Sequence, residues 1–288
     1  THVYSNMSRN SAVLKSYKQG HLLQFRPHND FWYKATVYVK GKAQTGYIHA
    51  NDVGEKPANK IEKKQGIDIP ILMYHQIGND PAPSQYGLFV SEENFREQMS
   101  FLKSKGFTPI FFEDLSNVKN IKKPIIITFD DGRENNMIAY KVLKELNDDD
   151  FQAKAVFFII GSKINANTYL SEEQILEVSD SGIISIQSHT MTHPHFNDNE
   201  TWHNMYITDE LECSNKQLED ITGKKVSVLA YPYGAYNEKV IEETKIYYNY
   251  AVSTRPGIAN TSDSPYDLKR VRVSYDTTLA QFKKSIGF

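Results

Sequence analysis

The chain of 288 residues contains one cysteine, Cys213, which excludes a disulfide framework within it. Cys213 falls in a polar helical pattern with no partner motif nearby, so it reads as an inert thiol, with pairing between chains as the alternative. Scarce cysteine fits the cytosol and secreted enzymes equally and leaves the compartment open. No stretch approaches the roughly 20 apolar residues of a membrane helix. Charge of either sign is also lacking in excess: the net charge is -2, and no basic run suggests a nucleic-acid-binding arm. The pairs Lys122-Lys123 and Lys224-Lys225 read as solvated loop charges. The chain begins at Thr1 rather than Met, so a trimmed or mature chain without its leader is expected.

The length suggests one large domain or two unequal ones. Residues 1–54 hold short strand candidates at Val13-Leu14, 21–25, Trp32 to Val39 and Gly46 to His49, interrupted by Gly20, Pro27-His28-Asn29-Asp30 and Gly41-Lys42. This segment resembles a bacterial SH3 domain in Ser11-Ala12-Val13-Leu14, Lys18-Gln19-Gly20, Trp32-Tyr33-Lys34-Ala35, Thr45-Gly46-Tyr47-Ile48-His49 and Asp52-Val53. The resemblance implies a small all-β barrel that holds cell-wall peptide or glycan. Alternatively, Trp32, Tyr33 and Tyr47 simply fill a small core. Residues 55–66, rich in Lys, Glu, Asn and Gln, read as a linker.

Residues 67–288 alternate strands and helices. Continuous apolar runs such as Ile69 to His75, Pro124 to Phe129 and Ala153 to Ile160 predict buried parallel strands, in an open sheet or closed barrel. Ser91-Glu92-Glu93-Asn94 and Ser171-Glu172-Glu173-Gln174 predict helix starts. Further helices are expected near 135–146, 204–222, 237–246 and from Thr277.

Polar clusters close two of the apolar runs. Thr128-Phe129-Asp130-Asp131-Gly132 follows Ile125-Ile126-Ile127, and Ser188-His189-Thr190-Met191-Thr192-His193 follows Ile183-Ile184-Ser185-Ile186. Strand alternation is expected to send the two carboxylates in different directions. One Asp and two His can bind a divalent metal and leave coordination positions open, with the other Asp free to move a proton. His189 and His193, four apart, suit either one face of a helical turn or a loop. The bland alternative is a capped turn for the Asp pair and surface positions for the histidines.

These two clusters, followed by Tyr231-Pro232-Tyr233-Gly234, resemble in order the first three motifs of the NodB-type polysaccharide deacetylases, carbohydrate esterase family 4. The resemblance spans residues 67–288 and implies a distorted (β/α) barrel. It implies Asp131, His189 and His193 as ligands of a divalent metal, Zn²⁺ or alternatively Co²⁺, and Asp130 as general base. It also implies the Tyr233 backbone N–H as donor to the oxyanion. Two departures stand out. Ala230 occupies the place of an Arg that usually steadies the catalytic Asp, and Arg255, Arg270 and Arg272 are candidates to replace it, the last two favoured. The usual late Leu-x-His is missing, and His75, ending Met73-Tyr74-His75, is the substitute general acid. Met73-Tyr74-His75 and Ala230-Tyr231-Pro232-Tyr233-Gly234 resemble the branch containing poly-N-acetylglucosamine deacetylases. The expected activity is metal-dependent removal of N-acetyl groups from N-acetylglucosamine in peptidoglycan or poly-N-acetylglucosamine, outside the cell or at its wall. The alternative is a catalytically impaired wall glycan-binding protein. His195 and His203 are expected to be rim or surface residues.

Overall fold

The computed structural model describes residues 1–18, 25–27, 32–49, 52, 66–79, 81–196 and 204–288. Residues 21–24 of the strand predicted at 21–25, the turn 28–30, linker residues 55–65 and His203 lie outside the described residues. The chain divides into two compact units, Thr1–Lys63 and Lys64–Phe288.

The first unit is a five-stranded antiparallel sheet in the order Val13–Ser16, His2–Tyr4, Lys42–His49, Trp32–Val39, Phe25–Pro27. The strand predicted from Gly46 begins earlier, at Lys42, because the reversal is made by Lys40 and Gly41, both with positive φ. Val3, Ala35, Val37 and Ile48 form its small core. Trp32 and Tyr47 are half-buried, and Trp32 meets Tyr4 and His49 edge-on at 6.0 and 4.9 Å between ring centres.

In the second unit seven parallel strands close into a barrel. They are β1 (Ile71–Tyr74), β2 (Pro124–Phe129), β3 (Ala155–Ile159), β4 (Ile184–Ser188), β5 (Val228–Ala230), β6 (Tyr250–Pro256) and β7 (Leu268–Arg272). β1 closes the ring by pairing with β7 through Val271↔Leu72 and with β2 through Phe129↔Tyr74. The helices are α1 (Glu92–Ser104), α2 (Asn136–Leu146), α3 (Glu172–Asp180), α4 (Asn204–Thr222), α5 (Glu238–Tyr247) and α6 (Leu279–Ser285). Ser91 caps α1 by accepting from Asn94 N–H, and Ser171 and Gln174 complete a reciprocal box at α3.

The period-two pattern of the strands builds two cores. Leu72, Tyr74, Ile127, Phe129 and Phe157 pack with helix residues such as Phe95, Leu102 and Leu143. Ile71, Ile126, Val156, Phe158, Val228 and Leu268 face the other way and pack together in the barrel interior. Phe112 and Val118 join this inner core from a 3₁₀ segment, Phe112–Asn120, that the sequence reading missed. Full burial of a side chain such as Phe158 contributes roughly 1.5–3 kcal/mol.

The barrel is irregular at one seam. β4 and β5 share a single register pair, Ser188↔Leu229. The buried amide of Gln187 extends the seam, its Oε1 accepting from Ser227 and Val228 N–H at 2.8 Å each. All seven strands run in the same direction, so the polar clusters that follow them gather at one end.

Candidate metal and catalytic site

β2 ends at Phe129, and Asp131 adopts φ 77°. Strand alternation therefore does not separate the two carboxylates as expected; the left-handed turn at Asp131 and Gly132 does. Gly132 has φ 68°, a conformation that favours glycine, and a Cβ there would also press on the end of the Ile159 side chain at 2.9 Å.

Asp130 keeps the inward parity of Ile126 and Thr128. Arg270, in β7, has the inward parity of Leu268 and is fully buried. Its Nη1 and Nη2 donate to the two carboxylate oxygens of Asp130, each at 2.7 Å. Nη1 also reaches Thr128 Oγ1 at 3.1 Å, and Nε donates to Ser253 O at 2.9 Å. Burial would raise the carboxyl pKa, but the charge and hydrogen bonds of Arg270 outweigh it and hold Asp130 well below the usual carboxylate range. Of the three Arg candidates, only Arg270 reaches Asp130. Arg272 is exposed at the end of β7, and Arg255 pairs instead with Asp267. β7 begins at Leu268, which puts Arg270 in its middle and Arg272 at its end.

His189 directly follows β4. Its Nδ1 lies 2.7 Å from the carbonyl oxygen of Ala230. Donation from Nδ1 to that oxygen leaves Nε2 as the free ligand atom. Ala230, the residue that stands in place of the expected Arg, thus orients a histidine through its backbone. His189 Nε2 lies 3.5 Å from Asp131 Oδ1, and His193 Nε2 lies 3.7 Å from the same atom. One ligand atom from each of the three lies within 4.8 Å of the others. The two histidines come together through a loop, not a helical turn, with Thr190 at φ 66° and His193 at φ 64°.

Burial would lower the His189 pKa, but its contact with Asp131 prevails and raises it. His193 is pushed down to about 4, first by burial and then by the neighbouring His189. Two imidazoles and a carboxylate, one imidazole fixed by a backbone carbonyl, are a donor set that fits a divalent ion of the zinc type.

Tyr233 follows β5 with φ 59° and ψ 3°, and its ring is 62% exposed beside His193, 4.6 Å between centres. The exposed His195 also lies near that ring, 5.3 Å between centres. Eight described non-glycine residues have positive φ; Asp131, Thr190, His193 and Tyr233 are half of them. Such conformations cost on the order of 1–3 kcal/mol each and concentrate where geometry is functional.

His75 lies just beyond β1, outside the strand predicted to contain it, and is buried. Its carbonyl accepts from Asn136 Nδ2 at 2.6 Å. Burial lowers its pKa, against the pull of Asp130 and Asp131.

One contributor escaped the sequence reading. Glu210 in α4 is buried, its carboxylate accepts from Thr192 N–H at 2.7 Å and from the Thr192 hydroxyl, and its backbone carbonyl accepts from Met191 N–H. It holds the loop between the two histidines. The available signal was a carboxylate on the buried helix face, in step with Ile207, Leu211 and Leu218.

A profile of the family described as Polysaccharide deacetylase matches residues 117–251. Bacillus subtilis YxkH, itself assigned to the polysaccharide deacetylases, is 32% identical over 238 residues, covering 76% of this chain and 80% of its own. The chain belongs to the polysaccharide deacetylase family. The crystal structure of a polysaccharide deacetylase from Bacillus cereus superposes with a TM-score of 0.72 at 37% identity, covering 88% of this chain and 77% of that one. A poly-β-1,6-N-acetyl-D-glucosamine N-deacetylase of Staphylococcus aureus is 22% identical over 269 residues, 83% of this chain and 90% of its own. These likenesses establish a deacetylase with the distorted barrel of the NodB type. Among the described residues no helix is long and apolar enough to cross a membrane.

Proposed function

We propose that this deacetylase hydrolyses the N-acetyl group of N-acetylglucosamine residues in a cell-surface polysaccharide, using a divalent metal held by Asp131, His189 and His193. The observation that carries the reading is the convergence of those three donors beside an Arg-paired Asp130 at the strand ends. The names of relatives that act on surface N-acetylglucosamine polymers support the substrate class. They also support action outside the cell or at its wall, where the N-terminal sheet would hold the enzyme.

When bound, the metal supplies Lewis acidity to the amide carbonyl and to the attacking water. Asp130 accepts one proton from that water. Arg270 donates one hydrogen bond to each carboxylate oxygen, so each keeps a lone pair for this transfer. Arg270 also keeps Asp130 ionised at any pH where the histidines are neutral. The Tyr233 N–H donates to the oxygen that gains charge as water adds to the carbonyl. His75 gives a proton to the departing nitrogen as the C–N bond breaks, because an unprotonated amine anion is a very poor leaving group. The products are acetate and a free amine on the glycan.

Purified protein supplied with Zn²⁺ or Co²⁺ is expected to release acetate from acetylated glucosamine oligomers, either β-1,6-linked or derived from peptidoglycan. Binding without acetate from every such polymer, with metal bound, would instead establish the impaired binding protein.

A further inference from the structure

Two cations converge on one tyrosine beside the metal donors. The guanidinium of Arg133 lies 4.1 Å from the ring centre of Tyr169, and Lys163 Nζ lies 5.9 Å from the same centre. Arg133 is two residues beyond Asp131, on the turn after β2. Lys163 is on the turn after β3, Gly161–Lys163, which is tied to the histidine loop by Gly161 N–H to Thr190 O and Ser162 N–H to Met191 O, at 3.1 and 2.8 Å. The two turns are joined as well. Leu170 N–H donates to Gly132 O and Glu134 N–H to Thr168 O, both at 3.0 Å, and Arg133 bridges to Tyr169. The cations therefore sit on backbone locked to the same turns that carry Asp131 and the histidines.

Among the described residues neither cation has a carboxylate partner. Among the described residues Arg133 Nη1 reaches only Thr168 Oγ1, at 3.4 Å, and its Nε is buried without a hydrogen bond. Glu134, the nearest acid in the chain, forms no ion pair with either. An arginine stacked on an aromatic ring keeps its in-plane donors free at the edge, and those donors match a carboxylate in geometry and charge. Against this stands the bland role of a cation resting on a ring, worth about 0.5–1 kcal/mol when exposed. Two lysines share the ring of Phe288 in the same way; what sets Arg133 and Lys163 apart is their place on turns tied to those of Asp131 and the histidines, and the cleft next to Arg133. Next to Arg133 an open cleft of about 340 Å³ is lined by Glu134, Asn165, Asn167, Thr168 and Tyr169. Amide, hydroxyl and aromatic groups of this kind suit a sugar ring.

We propose that Arg133 and Lys163, presented around Tyr169, bind a carboxylate carried by the glycan strand next to the sugar being deacetylated. The enzyme thereby favours an acid-bearing glycan, of the kind peptidoglycan provides through muramic acid or its peptide, over a neutral N-acetylglucosamine polymer. This assignment rests on the deacetylase reading above and names its substrate class.

The test compares one peptidoglycan-derived oligomer with the same oligomer whose carboxylates have been converted to amides. Wild-type kcat/KM is expected to be roughly tenfold higher for the acidic form, the size of one exposed charge-assisted contact. The preference should shrink as salt rises. In Arg133→Gln, Lys163→Gln and the double variant the ratio of the two kcat/KM values should fall toward one, mainly through KM. Because the readout is a ratio, a general loss of activity or fold in a variant does not imitate it. Equal wild-type turnover of the two forms, or a ratio unchanged in the double variant, overturns the proposal. Tighter calorimetric binding of a glycerol-phosphate oligomer than of the acidic glycan also overturns it, since the site would then serve an anionic phosphate polymer. Turnover without preference sinks this assignment alone. Preferential binding of the acidic oligomer by metal-loaded protein that releases no acetate sinks the deacetylase reading and leaves the anion site standing.

Discussion

Arg270 grips both carboxylate oxygens of Asp130 from across the barrel interior, each at 2.7 Å, and neither side chain is more than 3% exposed. Removing one partner of such a pair leaves a buried charge uncompensated, which costs about 3–5 kcal/mol. Arg270→Gln is therefore expected to unfold at markedly lower denaturant. Adding Asp130→Asn should recover much of that loss, a coupling that a double-mutant cycle measures.

The pH dependence follows from the same pair. Asp130 has a folded pKa well below its unfolded value of about 3.9. Its stabilisation is thus complete above about pH 4 and is lost as the pH falls from there toward the folded value. In Arg270→Gln the sign reverses, because burial alone raises the carboxyl pKa. The stability gap between wild type and variant should narrow as the pH drops from 7 toward 4, measured by urea unfolding at each pH.

Metal removal gives a second prediction. A chelator should abolish acetate release, with activity restored by Zn²⁺ or Co²⁺. His189→Ala should bind metal far more weakly, since it loses a donor whose orientation is fixed by the Ala230 carbonyl. In the metal-free protein the contact with Asp131 raises the His189 pKa. Where His189 is protonated, metal must displace that proton, so affinity should fall as the pH drops. Calorimetric titration in buffers of different ionisation enthalpy would detect the released proton.

His75 supplies a third. If it protonates the leaving nitrogen, His75→Gln should lower kcat by at least ~100-fold with metal content unchanged. An imidazole acts as an acid only while protonated, so the rate should fall as the pH rises through the His75 pKa. Burial, which lowers that pKa, moves the fall to lower pH. The variant should lack this alkaline limb.

The legibility of the chain varied with the range of the physics involved. Buried strands and capped helices were readable because apolar runs and the Ser91 and Ser171 caps are local signals. The polar clusters at the ends of β2 and β4 were readable for the same reason. The contact of Arg270 with Asp130 joins residues 140 positions apart. The sequence could nominate arginines but not choose among them until β7 was placed to start at Leu268. The roles of the Ala230 carbonyl and of the left-handed Asp131 leave little mark in the sequence, because they belong to the backbone. The Phe112–Asn120 segment was missed although Phe111, Leu115 and Val118 recur at helical spacing, because it is a 3₁₀ stretch kinked at Asn117 rather than a regular helix.

Glu210 carries the last prediction. Its carboxylate accepts from both the N–H and the hydroxyl of Thr192, in the loop between the two histidine ligands and directly before His193. Glu210→Ala removes the acceptor of that N–H and frees a loop that already holds Thr190 and His193 in left-handed conformations. Losing a supporting group of this kind typically lowers metal affinity 10- to 100-fold. Glu210→Gln keeps one acceptor oxygen and should lie between wild type and Glu210→Ala. Metal affinity measured against a competing chelator, in variants whose circular dichroism matches wild type, decides the point. Equal affinities in all three would show that the loop holds its shape without the carboxylate and that Glu210 serves only the packing of α4.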